Sequence, residues 1–379
     1  MRIFNGTLIT CEGERFERGY VDFENGVITA FGALADAAPY SGDSLDVEGG
    51  YIMPGIMDAH THIGISEEGV RWEGEDCNET TSPCTPSMRA MDGFYPFDTA
   101  ISKAVAAGVT TVAVSPGSTN VFGGQIAAVK LLKRGNVEEM VIKPYCAMKM
   151  ATGENPKRNY GENKGKSPMT RMATAAIMRD ELTKAVRYMN KKEAGEDVYD
   201  AELEALIPLL RREVPAHIHA HRSDDILTAI RVCREFNLRF HIIHATCASS
   251  IAEYLVAEQS IPVIGPSCGP ASKPETVGGS FATAGLLNRA GLEVAITTDH
   301  DVTPLWLLPS FAAMCCKEGM SEDAALRAIT INPAKVMGVD ERTGSIAVGK
   351  DADVVAFTGH PFHWLTQTKA VFINGERVL

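Results

Sequence analysis

The sequence predicts an α/β fold in which a barrel of parallel strands is joined to a small β domain built from both ends of the chain. From Pro54 onward, strand-like apolar runs alternate with helical patterns, which is typical of βα units around a parallel sheet. Short strands separated by turns precede and follow this region. The chain has 379 residues, more than the roughly 250 of a single α/β barrel. We therefore expect the barrel over residues 53–343 and the small domain over 1–52 and 344–379.

The small domain is predicted from short β-rich segments that end in turn residues. Asn-Gly pairs at Asn25 and Asn374 are typical of tight hairpin turns. The expected strands cover residues 1–10, 19–25, 27–31, 353–358 and 369–378.

The barrel is predicted from repeated strand and helix patterns. A helix over residues 98–107 ends at Gly108 and leads into a β-branched strand that Pro116 terminates. Ser223 and two aspartates open a second helix, with Ile226, Ile230 and Cys233 on one face. The expected strands cover residues 109–114, 217–221, 240–244, 261–265 and 292–298, and a further helix covers 281–290.

Composition and charge limit the class of partner. With 36 Lys plus Arg against 48 Asp plus Glu, the net charge of −12 disfavours nucleic-acid binding. The chain contains no run of about 18 uncharged apolar residues and does not begin with a signal-peptide pattern. We expect a cytoplasmic protein that acts on a small molecule, without a nucleic-acid or membrane partner; a homo-oligomer is compatible with the sequence.

The nine cysteines are odd in number and lack paired CxxC spacing, which indicates reduced thiols. Cys77 and Cys84 share one polar loop, so a metal or disulfide role for this pair stays open.

Two insertions follow predicted barrel strands, at residues 66–94 and 153–169. Loops after barrel strands surround the mouth, so these segments are candidate lids or substrate loops, although ordinary solvated surface is the alternative. One insertion is acidic and the other basic, and a substrate with both charges, such as an N-acyl amino acid or dipeptide, would fit both. The charged residues concerned are Glu67, Glu68, Glu73, Glu75, Asp76, Lys157, Arg158 and Lys164.

Histidines and an aspartate stand at the ends of several predicted strands. His60 and His62 are two residues apart, so in a strand both imidazoles point to one face, separated by roughly 6.5 Å along the chain. His219, His244 and Asp299 end three later strands. A parallel barrel gathers these ends around one mouth. Imidazole and carboxylate ligands predict a site for one or two ions of Zn²⁺ or another divalent metal.

These residues lie in motifs that resemble the metal-dependent amidohydrolase superfamily, particularly the branch related to imidazolonepropionases and prolidase-like members. The motifs are PGIMDAHTH, HIHAHRSDD, IIHAT, TTDHD, TINPA and the final GSIAVGKDAD, and they cover nearly the whole chain. The resemblance implies a distorted (β/α)8 TIM-like barrel with a small β-sandwich made from both chain ends. It also implies an enzyme that acts on carbon–nitrogen bonds.

The resemblance further implies roles for individual residues. His60, His62, His219 and His244 would bind metal, and Asp299 would complete the site, accept a proton from the attacking water and deliver it to the leaving group. The spacing alone does not say which histidine of the strand reaches the metal, and the resemblance selects His219. His221 would then stabilise the developing oxyanion or make a supporting hydrogen bond.

A second metal would need a bridging anion. Lys149 occupies a place similar to the strand lysine that prolidase-like relatives carry as a carbamate. A buried lysine with a lowered pKa can take up carbon dioxide in this way. Relatives of the imidazolonepropionase kind use one metal without such a lysine, and Glu154 is another candidate ligand.

Substrate contacts are predicted from polar residues after the strands. Asn120 and Gln125 lie in loops that can offer amide donors, although the Pro-Gly and Gly-Gly pairs there are also ordinary turn residues. We also expect Arg158 and Arg222 to bind substrate.

The residues after His244 indicate the type of reaction. The chain continues Ala-Thr-Cys-Ala, without the acidic proton shuttle that deaminases use. We therefore expect hydrolysis of an amide, cyclic amide or peptide-like bond by metal-activated hydroxide. The alternatives are an aminohydrolase acting on a heterocyclic base and a noncatalytic barrel of the same fold.

Overall fold

The computed structural model describes residues 1–132, 134–268 and 273–379, and it contains two eight-stranded sheets. The first strands are β1 (Arg2–Ile9), β2 (Arg15–Glu24), β3 (Val27–Ala33), β4 (Ser44–Asp46) and β5 (Tyr51–Pro54). The barrel strands are β6 (Ile56–Thr61), β7 (Val109–Val114), β8 (Phe122–Lys130), β9 (Val141–Ala151), β10 (Ala216–Ala220), β11 (Phe240–His244), β12 (Val263–Ile264) and β13 (Ala295–Ile296). The last strands are β14 (Val354–Phe357), β15 (Thr368–Ile373) and β16 (Glu376–Arg377).

The helices lie mainly between the barrel strands. They are α1 (Ala90–Gly93), α2 (Thr99–Ala106), α3 (Val137–Met140), α4 (Glu154–Lys157), α5 (Arg171–Glu193), α6 (Ala201–Leu210), α7 (Ser223–Glu235), α8 (Ala252–Glu258), α9 (Ala282–Arg289), α10 (Leu308–Lys317), α11 (Glu322–Ala328) and α12 (Ile331–Met337). Within the described part of the chain, no helix combines the length and apolarity needed to cross a membrane.

Both ends of the chain share the smaller sheet. Strand β5 pairs in parallel with β1 and antiparallel with β14, which joins the N-terminal and C-terminal strands. Buried apolar residues such as Ile3, Val21 and Phe372 form a separate core there. The predicted α/β class with a barrel and a terminal β domain is confirmed. Strand β5 extends past the predicted boundary at residue 52, and the exact division into domains stays a prediction.

The barrel sheet has the strand order β6 to β13, but β8 runs against its neighbours. This strand is not predicted from the sequence because Gly123-Gly124 resembles a turn. In the structure Gly124 has a φ of 126°, and a side chain there would meet the carbonyl oxygen of Met88 at 2.5 Å. Glycine is therefore required inside β8 because the loop before α1 crosses it closely.

Side-chain hydrogen bonds join the first and last barrel strands. The buried Asp58 carboxylate accepts hydrogen bonds from the Thr298 backbone N–H (3.0 Å) and hydroxyl (3.1 Å). In return, the Thr297 hydroxyl donates to the His60 carbonyl oxygen at 2.7 Å. These bonds hold the segments that carry His60 and Asp299 beside each other.

The predicted helices form as their patterns indicate. Helix α7 buries Ile226, Ile230 and Cys233 on one face, as the 3.6-residue period predicts. Helix α2 begins after Asp98, whose carboxylate accepts from Ala100 N at 3.0 Å. The same carboxylate accepts from Gly64 N at 3.1 Å, so the helix cap also fixes the loop that follows β6.

A buried ammonium group links the barrel to the smaller sheet. Lys130 ends β8 and is 2% exposed. Its Nζ lies 2.7 Å from Asp351 and 2.9 Å from Asp353, and it also donates to the side chain of Asn374. Two carboxylates and an amide oxygen compensate for the desolvation of this charge.

We expect Lys130→Met to destabilise the fold because it leaves the buried Asp353 carboxylate without its cation. The free energy of unfolding, measured by urea titration, should fall by about 3–5 kcal/mol. The matched control is Lys369→Met, which removes an ion pair with the exposed Glu48 and should cost less than about 1 kcal/mol. Equal effects of the two substitutions would contradict a structural role for the buried ammonium group.

Candidate metal centre

Five polar residues converge at the carboxyl ends of the barrel strands. His60 lies near the end of β6, and His62 follows this strand; His219 lies on β10, His244 ends β11, and Asp299 follows β13. All five are between 0% and 8% exposed. Strands covered on both faces carry nearly continuous apolar residues, so these side chains interrupt an otherwise apolar interior.

Two of the strand ends have unusual backbone conformations. His244 has a φ of 73° and Asp299 a φ of 53°, both in the left-handed region that residues with a Cβ rarely adopt. The Asp299 N–H donates to the Thr297 hydroxyl at 3.0 Å, which helps to hold this turn. Backbone strain of this kind is often found at functional sites.

The first ligand group consists of His60, His62 and Asp299. The candidate ligand atoms of these residues lie within 4.8 Å of one another. The Nε2 atoms of His60 and His62 lie 3.2 Å and 3.3 Å from the same carboxylate oxygen, Asp299 Oδ1.

The second ligand group consists of His219, His221 and His244, whose candidate atoms also lie within 4.8 Å of one another. His244 Nδ1 is 4.0 Å from Asp299 Oδ2, so the two groups are adjacent. The geometry therefore offers positions for two neighbouring ions.

The hydrogen bonds around the imidazoles favour a bound cation. His62 Nδ1 donates to the Ser115 carbonyl oxygen at 2.6 Å, and its Nε2 faces an oxygen of Asp299. Burial alone would lower the pKa of His62, but Cys77 and Asp299 hold it well above its usual value, so a positive charge, as a proton or a metal ion, is favoured between Nε2 and the carboxylate. His244 Nδ1 likewise donates to the Gly265 carbonyl oxygen at 2.7 Å. Asp299 Oδ1 and His219 Nδ1 are buried and have no hydrogen-bond partner among the described residues.

The protonation states also suit a divalent metal. Burial lowers the pKa of His60 and of His244 to about 3, so both imidazoles are neutral and able to coordinate. Burial alone would raise the pKa of Asp299, but the neighbouring imidazoles hold it well below its usual range. Neutral imidazoles and one carboxylate are the ligand types of zinc and similar metals.

Lys149 lies beside the first ligand group. It is fully buried on β9, and its Nζ is 3.2 Å from His60 Nε2. Burial lowers its pKa to about 8, which increases the share of neutral amine near neutral pH. Glu154, the other candidate bridging residue, begins α4 and faces Arg158 at 3.5 Å in a neighbouring cleft.

The other two histidines of β10 have different surroundings. His221 stacks on His244 with ring centroids 4.6 Å apart and an interplanar angle of 5°, and it faces the cavity above the ligand groups. Its Nδ1 is 2.8 Å from the Thr246 hydroxyl oxygen. His217 is fully buried, with Nε2 3.3 Å from the Val336 carbonyl oxygen, and packs inside the barrel.

A cavity of about 460 Å³ lies above the two groups. Both predicted insertions contribute to its wall, through Glu75 and Cys77 in the first and Asn155 in the second. The Cys77 carbonyl oxygen accepts from Gly117 N at 2.7 Å, which fixes this part of the loop. Neither Cys77 nor Cys84 forms a disulfide in the structure.

Asn120 and Gln125, two of the predicted substrate-binding residues, lie outside this cavity. The Asn120 amide donates to the carbonyl oxygens of Glu79 (2.6 Å) and Ser82 (2.8 Å), so it holds the first insertion in place. Gln125 lies on β8, where its backbone N–H donates to Met88.

Arg158 and Arg222 also lie outside the cavity, in a neighbouring cleft of about 440 Å³. Each has a carboxylate partner there, Glu154 for Arg158 and Asp224 for Arg222. The structure therefore brings the predicted metal ligands together but places the four predicted substrate contacts elsewhere.

Three polar residues beside the centre, Asn155, Lys273 and Glu275, are not predicted from the sequence. Asn155 and Lys273 line the cavity, and Glu275 is 2% exposed. The Glu275 Oε1 lies 3.6 Å from His219 Nε2 and 3.8 Å from His221 Nε2. Asn155 lies on the one-turn helix α4, and the other two lie between β12 and α9, where Pro274 resembles ordinary turn chemistry, so no periodic pattern indicated them.

Comparison with known proteins agrees with the resemblance. The model of the amidohydrolase family matches residues 51–378. The crystal structure of an amidohydrolase from Thermotoga maritima is 40% identical, with a TM-score of 0.96 over 100% of this chain and 99% of that one. An imidazolonepropionase of Thermoplasma volcanium is 25% identical over 100% of this chain and 98% of its own length.

A further relative is the amidohydrolase tasK of Hapsidospora irregularis, which is 29% identical over 94% of this chain. The match spans only 39% of the length of that protein. The family match covers most of the chain, and it confirms the predicted superfamily and an enzyme rather than a noncatalytic barrel. The chain belongs to the amidohydrolase family, whose members act on carbon–nitrogen bonds.

Proposed function

We propose that the protein is a metal-dependent hydrolase that cleaves an amide, cyclic amide or peptide-like C–N bond of a small molecule. The observation that carries this proposal is the pair of adjacent ligand groups beneath one cavity, with Asp299 in contact with both. The unpartnered Asp299 oxygen and the neutral, buried imidazoles support metal binding there.

Each residue has a distinct task in this proposal. His60, His62 and Asp299 would hold one divalent ion, His219 and His244 would hold a second, and Lys149, as a carbamate, would serve as a ligand shared by both. When bound, such ions acidify a water molecule and polarise the carbonyl of the substrate. Asp299 accepts the proton of the attacking water and transfers it to the leaving nitrogen. His221 borders the cavity, where its imidazole can donate to the developing oxyanion.

Metal binding gives the first prediction. Purified protein should contain a divalent metal by elemental analysis, and chelation should lower its melting temperature because metal binding stabilises the folded state. His60→Ala should lose bound metal, whereas the control His363→Ala, at an exposed position, should retain it. Equal metal content in both variants would exclude His60 as a ligand.

The bridging role of Lys149 can be tested without measuring activity. Protein exchanged with ¹³C-bicarbonate should show a carbamate carbon signal by NMR, and this signal should be absent from Lys149→Met. The variant should also bind fewer ions per chain than the wild type. A wild-type protein with two ions and no carbamate signal would rule out this bridge.

Catalysis gives a third prediction. Asp299→Asn should remain folded and lower kcat by roughly 10²–10⁴-fold on any substrate found among dipeptides, N-acyl amino acids and cyclic amides, because the proton carrier is lost. Circular dichroism checks the fold, and metal analysis separates loss of ligand from loss of proton transfer. Wild-type rates would refute the role. Ammonia release from heterocyclic bases, with no cleavage of amides, would favour the aminohydrolase alternative.

A further inference from the structure

One cationic side chain stands apart from the groups discussed so far. Among the residues that the structure describes, Lys273 is the one lysine or arginine that lines the cavity above the metal centre. It belongs to the segment between β12 and α9, and its side chain is 18% exposed. A largely buried ammonium group that faces a ligand cavity needs an explanation, because desolvation of a charge is costly.

Two neighbours hold the Lys273 ammonium in place. Its Nζ donates to Asn155 Oδ1 at 2.9 Å and lies 2.7 Å from Glu275 Oε1. Glu275 is itself held by the Glu154 backbone N–H, which donates to its Oε2 at 2.9 Å. One oxygen of the Glu275 carboxylate therefore faces the lysine, and the other accepts a hydrogen bond from the backbone. An ammonium group has three N–H bonds, and two of them are directed at these partners; among the described residues no third partner is seen, so the remaining N–H can donate to a ligand.

A hydroxyl group extends this arrangement along the wall. Asn155 Nδ2 donates to Ser118 Oγ at 2.7 Å, which leaves the Ser118 O–H free to donate in turn. Ser118 also lines the cavity. The Lys273 ammonium and the Ser118 hydroxyl both hydrogen-bond to the Asn155 side chain, which fixes their relative position. Two such donors suit a carboxylate or a similar anionic group.

The position of Lys273 places that anion close to the reacting centre. Asn155 Nδ2 and Glu275 Oε1, which hold the ammonium, lie 3.5 Å and 3.6 Å from His219 Nε2. The acidic residues Glu75, Asp299 and Asp301 line other parts of the same cavity and would repel an anion. Among the described residues that line the cavity, Lys273 therefore offers an anionic group a favourable place beside His219, one of the candidate metal ligands.

We propose that Lys273, positioned by Asn155 and Glu275, binds an anionic group of the substrate, so that the protein selects substrates with a carboxylate near the scissile C–N bond. This inference rests on the proposed function for the position of the scissile bond. It replaces Arg158 and Arg222 as the expected anion contacts, because both lie in the neighbouring cleft and not in the cavity above the metal centre.

The test measures binding first, so that it does not depend on turnover. Zinc-loaded protein is titrated with a panel of N-acetyl amino acids and dipeptides and, in parallel, with their C-terminal carboxamides, which differ only in the charge. The readout is the shift in melting temperature, which follows ligand affinity. We expect the acids to bind roughly 10–100-fold more tightly than the carboxamides, because a charge-assisted hydrogen bond is lost in the amide.

Three variants assign this preference to Lys273. Lys273→Met should lower the affinity for the acids far more than that for the carboxamides, so that the two classes bind with similar affinity. The single variant leaves the buried Glu275 carboxylate unpaired, which can destabilise the fold. The double variant Lys273→Met/Glu275→Gln removes both charges and avoids this problem. Lys166→Met, an exposed lysine of the nearby insertion, is the matched control and should keep the preference.

The outcomes separate the two proposals. No preference for acids in the wild type, or a preference that survives in both Lys273 variants, would overturn the role of Lys273. Turnover of neutral amides by the same zinc-loaded protein would then still support C–N hydrolysis. Selective binding of acids that depends on Lys273, without cleavage of any panel member, would support the anion site and count against the proposed reaction.

Discussion

The mutual contact of buried imidazoles with one buried carboxylate, Asp299, is the constraint on which the rest of the site depends. Such a group is unfavourable in an apolar barrel unless its lone pairs have partners. The surrounding structure satisfies part of the cluster, because the carbonyl oxygens of Ser115 and Gly265 accept hydrogen bonds from the Nδ1–H groups of His62 and His244. The Nε2 atoms of His60 and His62 face the Asp299 carboxylate, so the cluster favours a positive charge at its centre, which a divalent cation can supply.

The scaffold is adapted to keep this cluster rigid. Asp58 and Thr298 connect the strands on either side of the barrel seam, so His60 and Asp299 cannot separate without breaking buried hydrogen bonds. At the opposite end of the barrel, the ion pairs of Lys130 fasten the smaller sheet. A site built on strands that are fixed at both ends is positioned more precisely than one built on loops alone.

Much of the fold and the convergence of the residues in the candidate metal centre could be predicted from sequence, because both depend on local patterns. Alternating strand and helix periods indicated the barrel, and the strand-end positions of His219, His244 and Asp299 indicated one convergent site. The polar wall could not be predicted in this way, since Asn155 and Lys273 meet across 118 positions of sequence through loop contacts. The amide of Asn120 resembled a substrate donor, but it donates to carbonyl oxygens of the first insertion. The position of this loop cannot be predicted from the sequence.

The reversed strand β8 has a consequence for how this pocket can diversify. Because β8 begins at the mouth, one of the usual βα loops is missing there. The insertion after β6 takes this place. It pairs with β8 through isolated β-bridges, from Cys84 to Phe122 and from Arg89 to Gln125. One side of the pocket is thus made by a segment outside the ladder of barrel strands. Changes in the length or composition of that segment can reshape the pocket while the catalytic framework keeps its geometry, so selection can alter specificity and chemistry independently.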